Sequence, residues 1–386
     1  MTHKAAAATR ELNGEDAYYE ALGPIRDFVL DPTLTEIMVN GPDTIFIERD
    51  GKIHLTDRKF ESEAQLVETI QHIASAVGRR VDARTPMVDA RLKDGSRVNA
   101  VVAPVSLDGP SLTIRKFAKD PYRAEDLIGF GSITEEGVAY LKGVVKGRMN
   151  MLISGPADSG KTTLLNVCSS FIPPGERVIS VEDSAELQLH QDNVRRLESR
   201  PPDLYGEGEI TIRDLVRNSL RMRPDRIIVG ECRGAEALDM LQAMSTGHDG
   251  SMTTLHANTA RDGLSRLETL VMMSGMELPA KVIRQQVAAA IDVLVHLGRL
   301  NDGSRKVFSI SEVLGMEGDV VTLQDIFVYQ VAGIDAEGHL RGVLRPTGIR
   351  PRVLQRLSDR GVEVPPELAR IYSGEAAFRR EAAARA

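Results

Sequence analysis

A loop bracketed by glycines, between an apolar run and an apolar helix, is the feature that most constrains this chain. The loop GPADSGKT, at residues 155–162, fits the pattern G-x-x-x-x-G-K-[ST] and lies between MNMLIS and TLLNVCSSF. In this context the glycines let backbone N–H groups turn inward around a phosphate, and the helix N-terminus adds positive potential. We therefore expect a strand–loop–helix unit that binds a nucleoside triphosphate. The alternative interpretation is a plain glycine turn at a helix start.

The residue types of the loop predict individual contacts. We expect Lys161 to reach the β- and γ-phosphates, and the Thr162 hydroxyl to ligate Mg²⁺, a hard ion that prefers oxygen ligands. The predicted cofactors are thus ATP and Mg²⁺. The predicted nucleotide-binding residues are Gly155, Pro156, Ala157, Asp158, Ser159, Gly160, Lys161, Thr162 and Thr163.

The apolar pattern divides the chain into two parts. Up to residue 117, alternating segments with turn signals flank a helix that begins in the segment 62–80 and stops at Gly78, and a further helix is predicted from Asp16 to Leu30. After residue 134, strands alternate with helices, which predicts an α/β fold with a doubly wound, mainly parallel sheet. The predicted boundaries are a loose tail over 1–16, an α+β domain over 17–117, a linker over 118–133, and a phosphate-loop domain over 134–386 with a small C-terminal helical segment.

Acidic residues follow two other apolar strands. Glu231 comes after DRIIVG, and a carboxylate at the carboxyl end of a strand beside the phosphate strand can polarise an attacking water. Many P-loop enzymes carry an Asp at the position of Gly230 to hold the Mg²⁺ water shell, so Glu231 or another carboxylate must share that role. Glu182 and Asp183 follow VISV and fit a place near Mg²⁺ or the water. The alternatives are an ordinary exposed strand end for Glu231 and a helix cap for Asp183.

Two histidines lie in the segment STGHDGSMTTLHANT. His248 is flanked by glycine and His256 ends a strand, so either imidazole is placed to sense a γ-phosphate or to relay to a neighbouring subunit. Zinc is the rival interpretation, but a zinc site needs three or four ligands and no cysteine is close in sequence. A structural role is the alternative for each histidine taken alone.

Composition excludes several other classes of protein. The net charge of −7 and the 4% aromatic content argue against a dominant nucleic-acid surface, so no stable nucleic-acid binding is expected. No run of about 18 uncharged apolar residues occurs, so a membrane span is not expected. Cys168 and Cys232 are far apart in apolar surroundings, which is typical of reduced thiols in a cytosolic protein.

Four boxes occur in a fixed order: GPADSGKTT, VEDSAEL, RIIVGECRG and TGHDGSMTTLHA. This set resembles the type II/type IV secretion ATPase superfamily, with glycine in place of the usual aspartate in the third box. Four longer segments are similar to the CpaF branch, the assembly ATPase of tight-adherence (Flp-type) pili. They are TEIMVNGPDTIFIERDGKI, DARLKDGSRVNAVVAPVSLDGPSLTIRKF, RDLVRNSLRMRPDRIIVGE and TGIRPRVLQRL. The resemblance covers residues 20–372.

The resemblance implies a hexameric ring of two-domain subunits, with nucleotide held between the N-terminal domain and a RecA-like core. It also implies that arginines of the N-terminal domain face the γ-phosphate, and the matching positions are Arg97 and Arg115, with Arg91 a weaker match. A guanidinium that bridges two domains can stabilise phosphoryl charge and couple hydrolysis to rotation. A solvated strand residue is the alternative for each arginine, and a structural ion pair is the expectation for Arg233.

The function expected from this resemblance is a cytoplasmic, Mg²⁺-dependent ATPase that drives assembly of a type IV-like pilus, with retraction as an open alternative. Its partners would be inner-membrane pilus platform proteins, through which it associates with the cytoplasmic face of the membrane. The chain lacks the four-cysteine zinc module and the long additional N-terminal domain of many related ATPases, which suits the shorter CpaF-like and conjugation-type branches. The alternatives are a conjugation-type export motor, a nucleotide-dependent switch with negligible turnover, and a RecA-like nucleic-acid motor.

Overall fold

The structure of the protein is a computed structural model that describes residues 18–49, 51–92, 94–117, 121–202, 206–335 and 339–372. The predicted tail over 1–16 lies outside the described residues. The chain divides into two compact units, Met1–Asp120 (unit 1) and Pro121–Ala386 (unit 2). Inside the segment expected to be a linker, Ala124–Gly129 form a helix. The finer domain boundaries stay a prediction.

Unit 1 contains a six-stranded antiparallel sheet with one covered face. Its strands are β1 (Leu34–Asn40), β2 (Ile45–Arg49), β3 (Lys52–Leu55), β4 (Met87–Arg91), β5 (Arg97–Val101) and β6 (Ser111–Arg115), in the order β3-β2-β1-β6-β5-β4. Its helices are a 3₁₀ turn (Gly23–Ile25), α1 (Arg26–Leu30) and α2 (Glu63–Ala76). Apolar side chains of α2 and of alternate positions in β1, β2, β4, β5 and β6 form one buried cluster, whereas the β3 residues are exposed. The other face of the sheet therefore carries the polar strand positions.

The N-terminal helix prediction was wrong in one respect. Instead of one helix from Asp16 to Leu30, the described residues form a helical turn at 18–20, the 3₁₀ turn and the short α1. Gly23, the first residue of the 3₁₀ turn, has a φ of +57°, which an uninterrupted α-helix through this point would not tolerate, and Pro24 follows it. Proline lacks the N–H that a helix interior needs, so the chain restarts as a new helix after this point.

Unit 2 is built on a nine-stranded mixed sheet. Its strands are β7 (Met151–Gly155), β8 (Val178–Glu182), β9 (Val194–Glu198), β10 (Arg226–Val229), β11 (Met252–His256), β12 (Val293–Arg299), β13 (Arg305–Glu317), β14 (Val320–Ile334) and β15 (Leu340–Pro346). The strand order is β15-β14-β13-β12-β7-β11-β10-β8-β9. The strands β7 to β12 are parallel, whereas β13, β14 and β15 continue the sheet in antiparallel fashion. The central strands are buried on both faces, which explains their unbroken apolar sequences.

Helices cover both faces of this sheet. They are α3 (Ala124–Gly129), α4 (Glu135–Lys146), α5 (Lys161–Ser169), α6 (Ile212–Ser219), α7 (Glu236–Ser245), α8 (Ala260–Met272), α9 (Ala280–Ala290) and α10 (Val353–Asp359). One buried cluster holds side chains of α4, α5 and α10, and the other holds those of α6, α7, α8 and α9. This arrangement confirms the predicted α/β class and the doubly wound sheet, which has helices on both faces. Among the described residues, no helix combines the length and apolarity that a membrane span requires.

Candidate nucleotide-binding site

The phosphate loop joins the buried strand β7 to α5 at the carboxyl edge of the parallel strands. Gly155 lies so close to its neighbours that a Cβ there would be 2.5 Å from Ser159 Oγ and 2.6 Å from the Leu297 carbonyl oxygen. Gly160, which precedes the first residue of α5, has a φ of +92°. Asp158 also has a positive φ, of 55°, although it is not a glycine. Both glycines are thus required by the geometry of a tight loop that ends at a helix N-terminus.

Lys161 crosses the loop and hydrogen-bonds within it. Its Nζ lies 2.8 Å from the carbonyl oxygen of Pro156 and 3.4 Å from His256 Nδ1. Burial lowers the pKa of Lys161, whereas the carboxylates of Glu231 and Asp158 act in the opposite direction. The ammonium is therefore held at the loop by interactions that a phosphate oxygen can replace.

His256 connects Lys161 to Glu231. It ends β11 in register with Gly155 of β7, and its Nε2 lies 2.7 Å from Glu231 Oε1. Burial, followed by the charge of Lys161, lowers the pKa of His256, so the neutral ring is favoured. With Nδ1 facing an ammonium, the neutral ring accepts at Nδ1 and carries its proton on Nε2, towards the carboxylate. The two predicted site residues are thus brought together with the lysine.

The other oxygen of Glu231 faces Arg233. Arg233 Nη2 donates to Glu231 Oε2 at 2.7 Å, and its Nη1 donates to Asp183 Oδ2 at 3.3 Å. These contacts agree with the ion pair expected for Arg233. Asp183 is largely exposed and also accepts from Ser199 Oγ at 2.8 Å. It therefore lies at the rim of the site rather than inside it.

Glu182 is the buried carboxylate of the acidic box. Its Oε2 accepts from the backbone N–H groups of Glu186 and Leu187 at 2.7 and 2.9 Å. Burial raises the pKa of Glu182 in spite of these two donors. A Cβ at position 230 would lie 2.8 Å from Glu182 Cγ. The absence of a side chain at Gly230 therefore makes room for Glu182 beside the strand end that carries Glu231.

The residues present fit ATP and Mg²⁺. Gly155 leaves no room for a Cβ and Gly160 has a positive φ, so the loop turns tightly into the N-terminus of α5, which suits a bound phosphate. Glu182 Oε1 is buried and accepts no hydrogen bond from the part of the chain that the structure describes. Together with the hydroxyl of Thr162 in the first turn of α5, such a carboxylate oxygen is the hard donor that Mg²⁺ or its water shell prefers. Thr163, the next residue of α5, is half-buried.

Two sequence-predicted groups are not brought to this loop within unit 2. His248 lies before β11, with Nδ1 3.2 Å from the Ala243 carbonyl oxygen, and so at the opposite edge of the sheet from His256. The arginines Arg91, Arg97 and Arg115 lie in unit 1. There they form a row across β4, β5 and β6, because Arg91 pairs with Arg97 and Arg97 with Arg115. Their assignment to a γ-phosphate stays a prediction.

Arg305 is a loop contact that sequence reasoning missed. It is the first residue of β13, and its Nε donates to the Asp158 carbonyl oxygen at 2.8 Å. Its Cδ would lie 3.4 Å from a Cβ at Gly160. No sequence signal marks this contact, since the two residues are 147 positions apart.

The fold and the loop define a nucleotide-binding α/β protein with a RecA-like core and an additional N-terminal domain. Residues 19–342 match the family described as Type II/IV secretion system protein, and the chain belongs to this family.

Relatives of this chain are found in several organisms. A Mycobacterium tuberculosis protein provisionally named a conjugal transfer protein is 35% identical over 303 residues, which are 76% of this chain and 86% of the relative. Conjugal transfer protein TrbB of Rhizobium radiobacter is 33% identical over 292 residues, covering 75% and 85%. Protein VirB11 of Agrobacterium fabrum is 32% identical over 306 residues, covering 71% and 87%.

Solved structures share the fold. The pilus retraction motor PilT with bound ADP matches with a TM-score of 0.55 at 19% identity, covering 76% of this chain and 83% of that one. The Legionella pneumophila ATPase DotB matches with a TM-score of 0.53 at 22% identity, covering 73% and 77%. At these identities the likeness concerns the fold alone.

Proposed function

We propose that the protein is a Mg²⁺-dependent ATPase motor of a secretion or pilus machine. The observation that carries this proposal is the continuous contact from Lys161 through His256 to Glu231 beside the phosphate loop. A lysine that holds phosphate and a carboxylate that orients water are the two parts that hydrolysis of a β–γ bond requires. When bound, Mg²⁺ would neutralise the charge that develops on the phosphate oxygens.

Each side chain has a distinct role in this reaction. The loop amides and Lys161 bind the β- and γ-phosphates, while Glu231 accepts a hydrogen bond from the attacking water. The His256 ring lies against the Glu231 carboxylate, with Nε2 2.7 Å from Oε1, and limits its movement. Arg233 holds the other carboxylate oxygen, which leaves the lone pairs towards the loop for the water.

Two variants test this assignment. We expect Lys161→Ala to lose ATP binding and turnover, and Glu231→Gln to bind ATP while its kcat falls by about 10² or more. Calorimetry with ATP and Mg²⁺ and steady-state phosphate release measure both properties. Glu268→Gln and Lys281→Ala are the matched controls, since these residues pair with Arg284 and Asp319 outside the site. Normal phosphate release by Glu231→Gln would defeat the assignment of the water-orienting group.

The motor would act as a hexameric ring in which unit 1 closes on the nucleotide. The row of Arg91, Arg97 and Arg115 supports this proposal, because it gathers three guanidinium groups at adjacent positions of the unit 1 sheet, and guanidinium groups bind phosphate oxygens. We expect Arg97→Ala and Arg115→Ala to lower kcat and to leave ATP binding by the loop in place. Mass photometry with and without a nonhydrolysable ATP analogue reports whether six subunits assemble.

The machine served by the motor has two candidates. Similarity of four long segments to the CpaF branch supports assembly, and also retraction, of a Flp-type pilus through inner-membrane platform proteins at the cytoplasmic face. The conjugal transfer relatives at 33–35% identity favour a conjugation-type export motor as the second candidate. A chromosomal Lys161→Ala strain separates them. Loss of surface pili in electron micrographs supports the first, and loss of conjugal transfer with normal pili supports the second.

A further inference from the structure

Arg305 is a charged side chain that contacts the phosphate loop from outside and has no part in the proposed reaction. Its Nε donates to the Asp158 carbonyl oxygen at 2.8 Å. Its aliphatic part also lies across the loop, because its Cδ would be 3.4 Å from a Cβ at Gly160. Within the ranges that the structure describes, the guanidinium makes no second hydrogen bond and no ion pair. Its contacts are therefore directed at the loop.

A tight hairpin fixes the backbone from which Arg305 extends. The strands β12 and β13 remain paired up to Arg299 and Arg305, which lie directly opposite each other. In the turn between them, the Leu300 N–H donates to the Ser304 carbonyl oxygen at 2.8 Å. The guanidinium is thus carried by a sheet rather than by a long loop, and groups held on sheets are placed more accurately.

The phosphate loop has two separate anchors on the surrounding sheet. At its start, the Gly155 carbonyl oxygen accepts a hydrogen bond from the Ala257 N–H at 3.2 Å. In its middle, the Asp158 carbonyl oxygen accepts the bond from Arg305. The first anchor is a backbone group, which any residue at that position supplies. The second depends on one particular side chain.

The residue after Asp158 has a backbone N–H that a ligand could use. Ser159 is fully buried, and its Oγ donates to the Pro156 carbonyl oxygen at 2.9 Å. Its N–H, however, has no acceptor in the described part of the chain. A buried N–H without an acceptor is rare and costly. Asp158 and Gly160 have φ values of +55° and +92°, and alternation of this kind turns successive N–H groups towards one anion.

We infer that Arg305 is a positioning residue for phosphate binding, which holds the Asp158 carbonyl towards β13 and thereby points the Ser159 N–H at the phosphate. The inference rests on the proposed ATPase function and concerns the binding of the nucleotide. The two groups belong to one trans peptide unit. In such a planar unit the C=O and the N–H point in opposite directions, so that fixing one of them fixes the other.

Glutamine and methionine separate the hydrogen bond of Arg305 from its charge. The amide nitrogen of glutamine is bonded to Cδ, as Nε is, so Arg305→Gln keeps a donor at that position without the positive charge. Arg305→Met has a similar length but neither donor nor charge. We expect Arg305→Met to raise the dissociation constant of ATP with Mg²⁺ about fivefold or more, and Arg305→Gln to stay within about twofold of the wild type. Calorimetric titration measures both constants.

Inorganic tripolyphosphate identifies the part of the nucleotide that Arg305 serves. Because this probe has no base or sugar, a residue that acts through the Ser159 N–H should affect it as much as ATP. We therefore expect the same loss of affinity in Arg305→Met. A loss confined to ATP would indicate a contact with the base or the ribose and would overturn the inference. Equal losses in the Gln and Met variants, or unchanged affinity in Arg305→Met, would overturn it as well.

Arg299→Met is the matched control. Arg299 lies opposite Arg305, and in the described ranges it makes no hydrogen bond to the phosphate loop. This variant removes the same charge from the same hairpin and is expected to bind ATP within about twofold of the wild type. A loss equal to that of Arg305→Met would show that net charge acts, and the inference would be wrong.

The melting temperature of each variant checks its folding. Should Arg305→Met fail to fold, Arg305→Ala carries the test, since it too removes the donor, and the same loss of affinity is expected. A wild-type protein that binds ATP and tripolyphosphate without turnover would overturn the proposed function and leave this inference intact. Wild-type affinity in the Arg305 variant would overturn the inference alone.

Discussion

The Glu182 side chain occupies the space next to Gly230, so that a Cβ at position 230 would lie 2.8 Å from Glu182 Cγ but 3.6 Å from its Cβ. Many P-loop enzymes carry an aspartate at the position of Gly230. Here the space that such a side chain would need is occupied by the Glu182 side chain from the neighbouring strand β8. Gly230 and Glu182 are complementary in size, so a larger side chain at position 230 would displace the Glu182 side chain.

Gly230→Ala is therefore expected to destabilise the protein by about 1–3 kcal/mol, because it overpacks a buried position. In a Glu182→Ala background the same change is expected to be nearly neutral, since the nearest remaining atom is at ordinary contact distance. Urea denaturation of the four proteins in this cycle measures the coupling. Equal costs in both backgrounds would show that the two side chains do not compete for space.

Asp158→Gly is expected to tighten ATP binding. The aspartate lies in the phosphate loop with a φ of 55°, and its carboxylate is close enough to interact with Lys161. Its removal abolishes repulsion of the triphosphate, an effect of about 1 kcal/mol or roughly fivefold in affinity near a protein surface. Glycine also accepts the positive φ without strain.

Arg223→Gly is the matched control for that change, because Arg223 also has a positive φ, of 54°, but lies outside the phosphate loop. It is expected to leave ATP affinity unchanged and, since glycine accepts a positive φ, to change the melting temperature little. Calorimetric titration and thermal melting measure the two properties. An Asp158→Gly protein that binds ATP more weakly would show that the carboxylate assists the phosphates instead of repelling them.

Buried Arg226 and half-buried Glu176 form a bidentate pair at the start of β10. The Nε and Nη2 atoms of Arg226 lie 2.7 and 2.9 Å from the two carboxylate oxygens, and Arg226 is fully buried. Arg226→Met is expected to cost about 3–5 kcal/mol of unfolding free energy, because it leaves Glu176 without its main partner. Arg226→Met/Glu176→Leu is expected to regain part of this loss in urea denaturation.

The control for the buried pair is an exposed one. Arg341 pairs with Asp335 at the surface, with 63% of the arginine side chain exposed. Arg341→Met is expected to change stability by less than about 1 kcal/mol. Comparable losses at both arginines would contradict the importance given to burial.

Acid is expected to weaken the fold through buried His296 and half-buried His256. Burial lowers the pKa of both His296 and His256 in the folded protein. In the unfolded chain histidine has a pKa of about 6.5, so it binds protons that the folded protein does not. The contribution of the neutral histidines to the free energy of unfolding is therefore complete above about pH 6.5 and is lost as pH falls through the folded pKa. The melting temperature should therefore fall between about pH 7.5 and pH 5.5.

The contribution of His296 is isolated by comparison with His296→Gln, whose melting temperature should fall less over the same interval. This comparison is needed because Glu182 and Asp292 act in the opposite sense. Burial raises the pKa of both carboxyl groups, and their contribution is lost as pH rises through the folded pKa. Parallel pH curves for the variant and the wild type would rule out His296 as the acid-sensitive group.

The fold could be predicted because its signals are local. Buried parallel strands are unbroken apolar runs, and the phosphate loop marks where one of them meets a helix. Two edge strands, β9 and β15, escaped prediction because they carry several arginines and lack an apolar run. Their position at the ends of the sheet explains this, since edge strands need less apolar surface.

The sequence predicts only those site residues that lie at the carboxyl end of a strand or just after it. The carboxyl ends of β7, β8 and β11, together with the residues that follow β10, bring Lys161, Glu182, Glu231 and His256 to one edge of the sheet. His248 was grouped with His256 because they are close in sequence, but the five-residue strand β11 separates them by about 16 Å along its length. Contacts such as Arg305 with Asp158 depend on distant parts of the chain and leave no local pattern.

The Lys161 ammonium group donates a hydrogen bond to the Pro156 carbonyl oxygen, 2.8 Å away, within the phosphate loop. A ligand must therefore offer a stronger hydrogen-bond acceptor than the Pro156 carbonyl oxygen before Lys161 changes its partner. Among the groups of a nucleotide, the anionic phosphate oxygens meet this condition. Adenosine alone would leave the lysine in its resting bond. The contact with Lys161 therefore selects for the phosphate groups of a nucleotide and not for its base or sugar.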